Sequence, residues 1–259
     1  MISASIVAYN TNPDMLSKAI ASVLQNKQVV LYLVDNSPSD QLRVLCDDFP
    51  AEQLIYIHTG DNLGFGKGHN VAMKAAMEKG FVYHAVVNPD IYFDDDILQS
   101  LAAFMDSHPD VGLCMPKILN PDGTMQALCK QLPRPFDLIF RRFLPGFLKP
   151  LFRKRMEWFE MKNADFENNL DVPYLSGCFM FLRLGVLKEI GLFDERYFMY
   201  LEDTDLSRRI GEHHRTVYFP KAQAYHLHAK GSYRNWRLLK IHIKSAISYF
   251  NKWGWWPLI

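Results

Sequence analysis

Residues 2–37 read ISASIVAYNTNPDMLSKAIASVLQNKQVVLYLVDNS, and this stretch decides the class of fold. Two apolar, β-branched runs, at 2–8 and 29–34, flank a stretch with a helical pattern. The start of the helix is well marked, because Asn12 can cap it and Pro13 suits the first helical position. One apolar stripe is formed at helical spacing by Leu16, Ile20, Val23 and Leu24. The pattern predicts a strand–helix–strand unit with parallel strands.

The same alternation continues through the first half of the chain, with strand-like runs at 54–58, 83–87 and 111–115. It predicts an α/β fold, in which a Rossmann-type mixed sheet with mostly parallel strands is flanked by helices. Further elements are predicted in this order: a strand over 172–183 with a break at Ser176 and Gly177, a short helix ending at Gly191, a helix over 204–211, a strand over 216–219 and a terminal helix over 236–251.

The composition excludes several classes of protein. Hydrophobic residues make up 49% and charged residues 22%, which is typical of a globular chain. The formal net charge of +1 argues against a nucleic-acid partner bound through overall charge. The four cysteines lack C-x-x-C spacing, so buried, reduced thiols are expected rather than a zinc site. The chain starts in a strand-like run and has no long apolar stretch, so we expect neither a secretory signal nor a membrane span.

Polar residues follow several predicted strands at their carboxyl ends. In an open parallel sheet, ligands bind outside these ends, where a carboxylate can hydrogen-bond a base or a ribose. Taken alone, Asp35 would be expected only to cap the next turn. The residues at these ends are Ala8, Tyr9 and Asn10 after the first strand, Asp35 after the second, and Asn88, Pro89 and Asp90 after the fourth. Together they predict a ligand site on one rim of the sheet.

A glycine-rich segment at 62–70, NLGFGKGHN, follows the third strand and opens a helix. Its glycines would let the backbone approach a ligand, with N–H groups facing phosphate. The spacing does not match G-x-x-x-x-G-K-[ST], and the segment does not follow the first strand, so neither a Walker loop nor a dinucleotide fingerprint is indicated. A tight turn explains at least one of the glycines. The segment therefore adds a further polar element to the same rim.

The segment at 190–209, IGLFDERYFMYLEDTDLSRR, is the most specific stretch of the chain. With Asp35, the 62–70 segment and the Asn88 to Asp90 run, it resembles family 2 glycosyltransferases of the GT-A fold, rhamnosyltransferase-like members in particular. The resemblance covers nearly the whole chain and implies an inverting mechanism. It makes Asp203 the general base. Without the aromatic run before it, this acidic stretch would be interpreted as a solvated helix start.

The resemblance also implies a ligand set. A divalent metal, Mg²⁺ or Mn²⁺, would be held by Asp90 of an Asp-x-Asp-type motif, in which Asn88 stands at the first acidic position. A histidine on a late loop would complete the metal site, with His226 preferred over His228. Acceptor contacts would come from Ser176, Gly177 and Glu202. Nucleotide and donor contacts would come from Ala8, Tyr9, Asn10, Asp35, Asn62, Phe65, Asn70, Asn88, Pro89 and Asp90. The acidic run at 94–96 is interpreted as a helix start.

The resemblance implies substrates and an organisation of the chain as well. The donor would be dTDP-rhamnose, or else a UDP-hexose or UDP-galactofuranose, and the acceptor a glycan or lipid-linked saccharide of a bacterial surface polysaccharide. We expect a single domain over 1–259, with a nucleotide-sugar half at 1–116, an acceptor half at 117–235, and a C-terminal helix and tail at 236–259.

A basic, aromatic excursion at 133–155 predicts either docking to the inner face of the cytoplasmic membrane or a lid over the core. The tryptophans at 253–256 suit a membrane interface or a homodimer contact equally. A sugar nucleotidyltransferase is disfavoured, because residues 8–12 are not a glycine-rich loop. A non-catalytic nucleotide-sugar or glycan-binding module is disfavoured by the intact pair of Glu202 and Asp203.

Overall fold

A computed structural model describes residues 1–138, 146–227 and 236–256. The strands are β1 Ile2–Ala8, β2 Val29–Asp35, β3 Leu54–His58, β4 Tyr83–Val87, β5 Ile91–Tyr92, β6 Val111–Leu119, β7 Leu170–Asp171, β8 Phe179–Arg183 and β9 Arg215–His226. The α-helices are α1 Pro13–Leu24, α2 Phe65–Glu78, α3 Ile97–Ser107, α4 Arg153–Phe159, α5 Leu184–Ile190, α6 Glu202–Gly211 and α7 Trp236–Trp253, with 3₁₀ segments at Gln41–Asp48 and Gly146–Phe152.

The strands form one mixed sheet in the order β3-β2-β1-β4-β8-β6-β9-β5, and β7 pairs with β9. The four strands β3, β2, β1 and β4 are parallel, and β8 runs antiparallel between β4 and β6. Strand β9 returns parallel to β6. The predicted sheet, mostly parallel and flanked by helices, is confirmed. In the described ranges, no helix combines the length and the apolar character needed to cross a membrane.

The helix starts follow the local sequence signals. Asn12 caps α1, since its side chain accepts a hydrogen bond from Met15 N at 3.0 Å, and Pro13 is the first helical residue. Asp96 caps α3 in the same way, by accepting from Gln99 N at 3.2 Å. The acidic run at 94–96 therefore begins a helix, as predicted.

Two strand predictions were wrong in extent. The strand expected over 172–183 begins only at Phe179. The strand expected over 216–219 runs to His226, and its register against β6 shifts at Pro116 and Lys117. Pro220 has no N–H to donate to the strand ladder, so it is compatible with such an irregularity. A proline inside the run also makes the strand hard to recognise from period-2 alternation. His226 consequently ends a strand instead of lying on a late loop.

A buried polar chain crosses the sheet beneath the rim. Ser5 Oγ lies 2.7 Å from both His69 Nδ1 and His84 Nε2, and Ser3 Oγ lies 2.8 Å from His84 Nδ1. All four side chains are fully buried. Burial lowers the pKa of His84 to about 3, and burial with the neighbouring His84 lowers the pKa of His69 well below its usual value. Both rings are therefore neutral in the folded chain near neutral pH.

We expect acid to destabilise the fold through these histidines. Their folded pKa values lie below the unfolded value of about 6.5, so the free energy of unfolding is unaffected above that pH and falls below it. Each histidine contributes a slope of about 1.4 kcal/mol per pH unit. His84→Gln should therefore reduce the pH dependence of the free energy of unfolding by one histidine's contribution, measured by urea unfolding between pH 5 and 7. His213→Gln, at an exposed position, is the control. Equal slopes in wild type and His84→Gln would contradict this.

Candidate active site

A cavity of about 500 Å³ opens at the rim of the sheet, between the carboxyl end of β4, the end of β9 and the start of α6. It brings together predicted site residues that are far apart in sequence. Those lining it are Phe65, Asn88, Asp90, Ser176, Gly177, Glu202, Asp203 and His226. Residues that sequence reasoning missed also line it, among them Gln126, Lys130, Tyr174 and His242. No motif marks these four, because each reaches the cavity only through tertiary packing.

Asp203 lies in the first turn of α6 and is held by three donors. Its Oδ2 accepts hydrogen bonds from Gly177 N at 2.8 Å and from Tyr174 Oη at 3.1 Å, and its Oδ1 accepts from Thr204 N at 2.8 Å. A Cβ atom at Gly177 would lie 3.1 Å from Asp203 Cβ, which is tighter than ordinary packing. Gly177 therefore permits the close approach that fixes this carboxylate on the cavity wall.

Glu202 is in a different environment from its neighbour. It is buried, and its Oε2 has no hydrogen-bond partner among the described residues. Burial, together with the charge of Asp203, raises the pKa of Glu202 and favours its neutral form. The two adjacent acids thus differ in character, one hydrogen-bonded as a carboxylate and the other buried as an acid.

A left-handed turn sets the direction of α6. Tyr200 has φ 72° and Leu201 has φ 68°, a conformation that costs non-glycine residues about 1–2 kcal/mol each. Two contacts from α7 support the turn. Ser245 Oγ donates to Met199 O at 2.8 Å, and Leu201 packs with Tyr249 in a small buried cluster. Packing against α7 therefore compensates the strain that puts Glu202 and Asp203 at the cavity.

Asp205 differs from Asp203 in being purely internal. It is fully buried and accepts hydrogen bonds from Arg209 Nε and Trp253 Nε1, each at 2.8 Å, while Lys252 Nζ lies 2.7 Å from its Oδ1. Lys252 Nζ also donates to Asp194 Oδ2 at 3.0 Å. This ionic cluster joins α7 to α6 and to the segment before it.

Asp90 and His226 form the candidate cation site. His226 Nε2 lies 3.2 Å from Asp90 Oδ1, and His226 Nδ1 lies 2.9 Å from Gln126 Oε1. Gln126 Nε2 donates to Asn120 Oδ1 at 2.8 Å and to His226 O at 3.1 Å. The amide orientation is thereby fixed, so Nδ1 of His226 donates to Gln126 Oε1 and Nε2 faces Asp90.

The candidate cation site offers few protein ligands. No group of three or more histidine, cysteine, aspartate or glutamate side chains arranged for a metal occurs within 1–138, 146–227 and 236–256. His228, the alternative to His226, lies outside the described residues. A cation held here would need further ligands from a substrate, from water or from the amide oxygen of Asn88.

The nucleotide contacts predicted from the sequence lie largely at the ends of β1 and β2. Ala8 pairs with Asp35, whose Oδ1 accepts from Ser37 N at 2.9 Å and whose Oδ2 accepts from Tyr56 Oη at 2.7 Å. Ser37 Oγ in turn accepts from Asn10 N at 2.9 Å. Three other predicted contacts, Tyr9, Asn10 and Asn62, are exposed at the surface, and Pro89 is partly buried. Asp35 thus also makes the turn contact expected of a strand-end carboxylate.

Asn70 does not face this rim. Its Nδ2 donates to Phe193 O at 2.9 Å, its Oδ1 accepts from Phe193 N at 3.0 Å, and the side chain is buried. These bonds use the amide to attach the 190s segment to α2. The geometry gives no support to the predicted contact between Asn70 and the donor.

The chain is similar in sequence to known proteins over most of its length. The family model described as "Glycosyl transferase family 2" matches residues 3–191. An N-acetylglucosaminyl-diphospho-decaprenol L-rhamnosyltransferase of Mycobacterium tuberculosis is 28% identical over 266 residues, covering 96% of this chain and 84% of that protein. The rhamnosyltransferase WbbL of Escherichia coli (strain K12) is 25% identical over 254 residues, covering 94% of this chain and 90% of that protein.

A solved structure shows the same fold. The crystal structure of GalNAc-T7 with UDP, GalNAc and Mn²⁺ matches 87% of this chain with a TM-score of 0.64 at 14% identity. This chain spans 43% of that one. The expected GT-A-like fold is thereby confirmed.

We expect Lys252→Met to destabilise the chain by about 3 kcal/mol, because it leaves the buried Asp205 charge undercompensated. Urea unfolding at pH 7 measures the change. Lys244→Met on the same helix is the matched control, since Lys244 is exposed and makes no ion pair within the described ranges, and it should change stability by about 0.5 kcal/mol or less. Similar unfolding midpoints for the two variants would show that the ionic cluster does not stabilise the fold.

Proposed function

The chain belongs to glycosyl transferase family 2, and from this premise we propose that it is an inverting, metal-dependent rhamnosyltransferase acting on a lipid-linked saccharide. The observation that carries the proposal is one cavity holding a hydrogen-bonded carboxylate, Asp203, and the pair of Asp90 and His226. A base on one side and a diphosphate site on the other are what displacement at an anomeric carbon requires.

The residues of the chain divide the chemistry between them. Asp203 accepts the proton of the acceptor hydroxyl as the new bond to the anomeric carbon forms and the bond to the diphosphate breaks. Gly177 N and Tyr174 Oη orient this carboxylate. Glu202, in its neutral form, adds no second negative charge at the place where the base acts and can donate a hydrogen bond to the acceptor. Ser176 and Gly177 would line the acceptor side.

Asp90 and His226 fit a divalent cation. Two ligand atoms each about 2.1 Å from one ion and at right angles lie about 3 Å apart. The 3.2 Å between Asp90 Oδ1 and His226 Nε2 agrees with this, and Gln126 fixes the histidine tautomer from behind. A bound Mg²⁺ or Mn²⁺ would stabilise the departing diphosphate. The crystal structure of GalNAc-T7, which has the same fold, contains Mn²⁺ together with UDP.

The donor and acceptor are inferred from the relatives. Two of them are named as rhamnosyltransferases, and the acceptor in one name is an N-acetylglucosaminyl-diphospho-lipid. The nucleotide would bind across the ends of β1 and β2, at Asp35, Asn10 and Asn62, in the 1–116 half. A UDP-hexose or UDP-galactofuranose donor, or a non-catalytic binding module, is the alternative. The candidate base Asp203 favours an enzyme over a binding module, because a protein that only binds its ligand needs no base.

Replacing Asp203 by Asn should slow turnover strongly and leave donor binding almost unchanged. We expect the rate to fall by about a thousandfold, since general-base catalysis contributes about 10²–10⁴, while the donor dissociation constant stays within about twofold. Release of dTDP measures turnover, and calorimetry measures binding. Asp122→Asn, at an exposed loop position, is the control. Wild-type turnover in Asp203→Asn would remove Asp203 from its role.

Donor binding should depend on a divalent cation. We would titrate dTDP-rhamnose, UDP-galactose, UDP-N-acetylglucosamine and GDP-mannose calorimetrically, with Mn²⁺ and with chelator. We expect dTDP-rhamnose to bind tightly, and only when Mn²⁺ is present. In Gln126→Leu, His226 loses its hydrogen-bond partner, so the affinity for the metal should be about ten- to a hundredfold weaker than in wild type. Binding of none of the four, or equal binding with chelator, would contradict the proposal.

A further inference from the structure

The outer face of α7 carries an exposed apolar stripe. Trp236, Ile243 and Ile247 are 77%, 46% and 46% exposed. At about 100° per residue, these three positions fall within about 40° of one another around the helix. Single exposed apolar residues are common on protein surfaces, but three on the same side of one helix form an apolar stripe.

Cations border the stripe. Lys240 and Lys244 are exposed and occupy neighbouring positions around the helix, and neither forms an ion pair among the described residues. The helix sequence, WRLLKIHIKSAISYFNKW, contains no acidic residue. In a chain with a net charge of +1, this concentrates positive charge beside apolar side chains on one surface.

The opposite face of α7 forms part of the active site. Ser245 donates to Met199 O next to the left-handed turn, and Lys252 bonds to the buried Asp205. His242 lines the cavity, with its ring 5.0 Å from that of Tyr200. One helix therefore separates the acceptor side of the cavity from the basic, apolar surface.

We propose that this outer face of α7 docks on an anionic lipid bilayer surface. Apolar side chains that enter the headgroup region, flanked by lysines that meet anionic headgroups, are the pattern of an interfacial helix. A second copy of the chain is a poorer occupant. A two-fold contact through the same face would bring Lys240 and Lys244 of one protomer against the same lysines of the other, with no acid on the helix to neutralise them.

Docking through α7 accounts for a lipid-linked saccharide as the acceptor, and this explanation rests on the proposed function. A helix with its side chains is about 10–12 Å wide, so the cavity would open about one helix width from the headgroups. A saccharide joined to a lipid through a diphosphate is confined to that depth. The enzyme therefore meets its acceptor by sliding on the surface rather than by extracting lipid.

Co-sedimentation of the full chain with vesicles tests the docking. We expect binding to vesicles of phosphatidylcholine with 30% phosphatidylglycerol, much weaker binding to phosphatidylcholine alone, and loss of binding at high salt. Lys240→Glu/Lys244→Glu should weaken binding at least tenfold, and Ile243→Ser/Ile247→Ser at least fivefold. The matched control is Lys27→Glu/Lys188→Glu, which makes the same change of charge at exposed positions off α7.

Several outcomes would overturn the docking proposal: no binding of wild type to the anionic vesicles, equal loss of binding in the control, or a concentration-dependent dimer in sedimentation equilibrium that the α7 variants abolish.

A separate turnover measurement tests the proposed function. The α7 variants should keep full turnover on an N-acetylglucosaminyl diphosphate bearing a short, detergent-soluble chain and lose it only on vesicle-borne acceptor. Absence of turnover by wild type on the soluble acceptor would contradict the function and leave the vesicle result standing.

Discussion

The structure of the candidate site depends on how the 190–201 segment is held, because this segment leads directly into Glu202 and Asp203. Several attachments fix it: the amide of Asn70 pairs with the backbone of Phe193, Phe65 N donates to Phe198 O at 3.0 Å, Ser245 donates to Met199 O, and Lys252 donates to Asp194. A Cβ atom at Gly64 would lie 2.1 Å from Phe198 O, so only glycine lets α2 approach this closely. The glycine-rich segment, predicted to contact the donor, therefore also packs against the segment that leads to Asp203.

Three acids within four residues of α6 have three separate environments, because the helix turns each one in a different direction. Asp203 faces the cavity and bonds to polar groups of the 174–177 loop. Glu202 is buried where it lines the cavity, and burial together with the charge of Asp203 raises its pKa and favours the neutral acid. Asp205 faces α7 and is neutralised by Arg209 and Lys252. One acidic run thus supplies a candidate base, a neutral acid and an internal ionic link.

Much of the fold was predictable, since the strands up to β4 and the start of α1 follow from local periodicity and caps. What could not be predicted depends on tertiary contacts. The loop before β8 leaves the sheet to reach Asp203, β9 continues past Pro220, and Asn70 turns to Phe193. Gln126 carries no local signal either, since only the folding of β6 and β9 side by side brings it to His226. The 139–145 part of the excursion lies outside the described residues.

The matched family segment ends at residue 191, yet Asp203, His226 and α7 lie beyond it. The first part builds all of the sheet except β9, together with the rim where a nucleotide would bind. The later part supplies β9, the candidate base, a candidate cation ligand and the helix that supports the strained turn. Because α7 is bonded to that turn on one face and exposes lysines and apolar residues on the other, one helix both supports the backbone that leads to Asp203 and carries the surface for which we propose lipid docking.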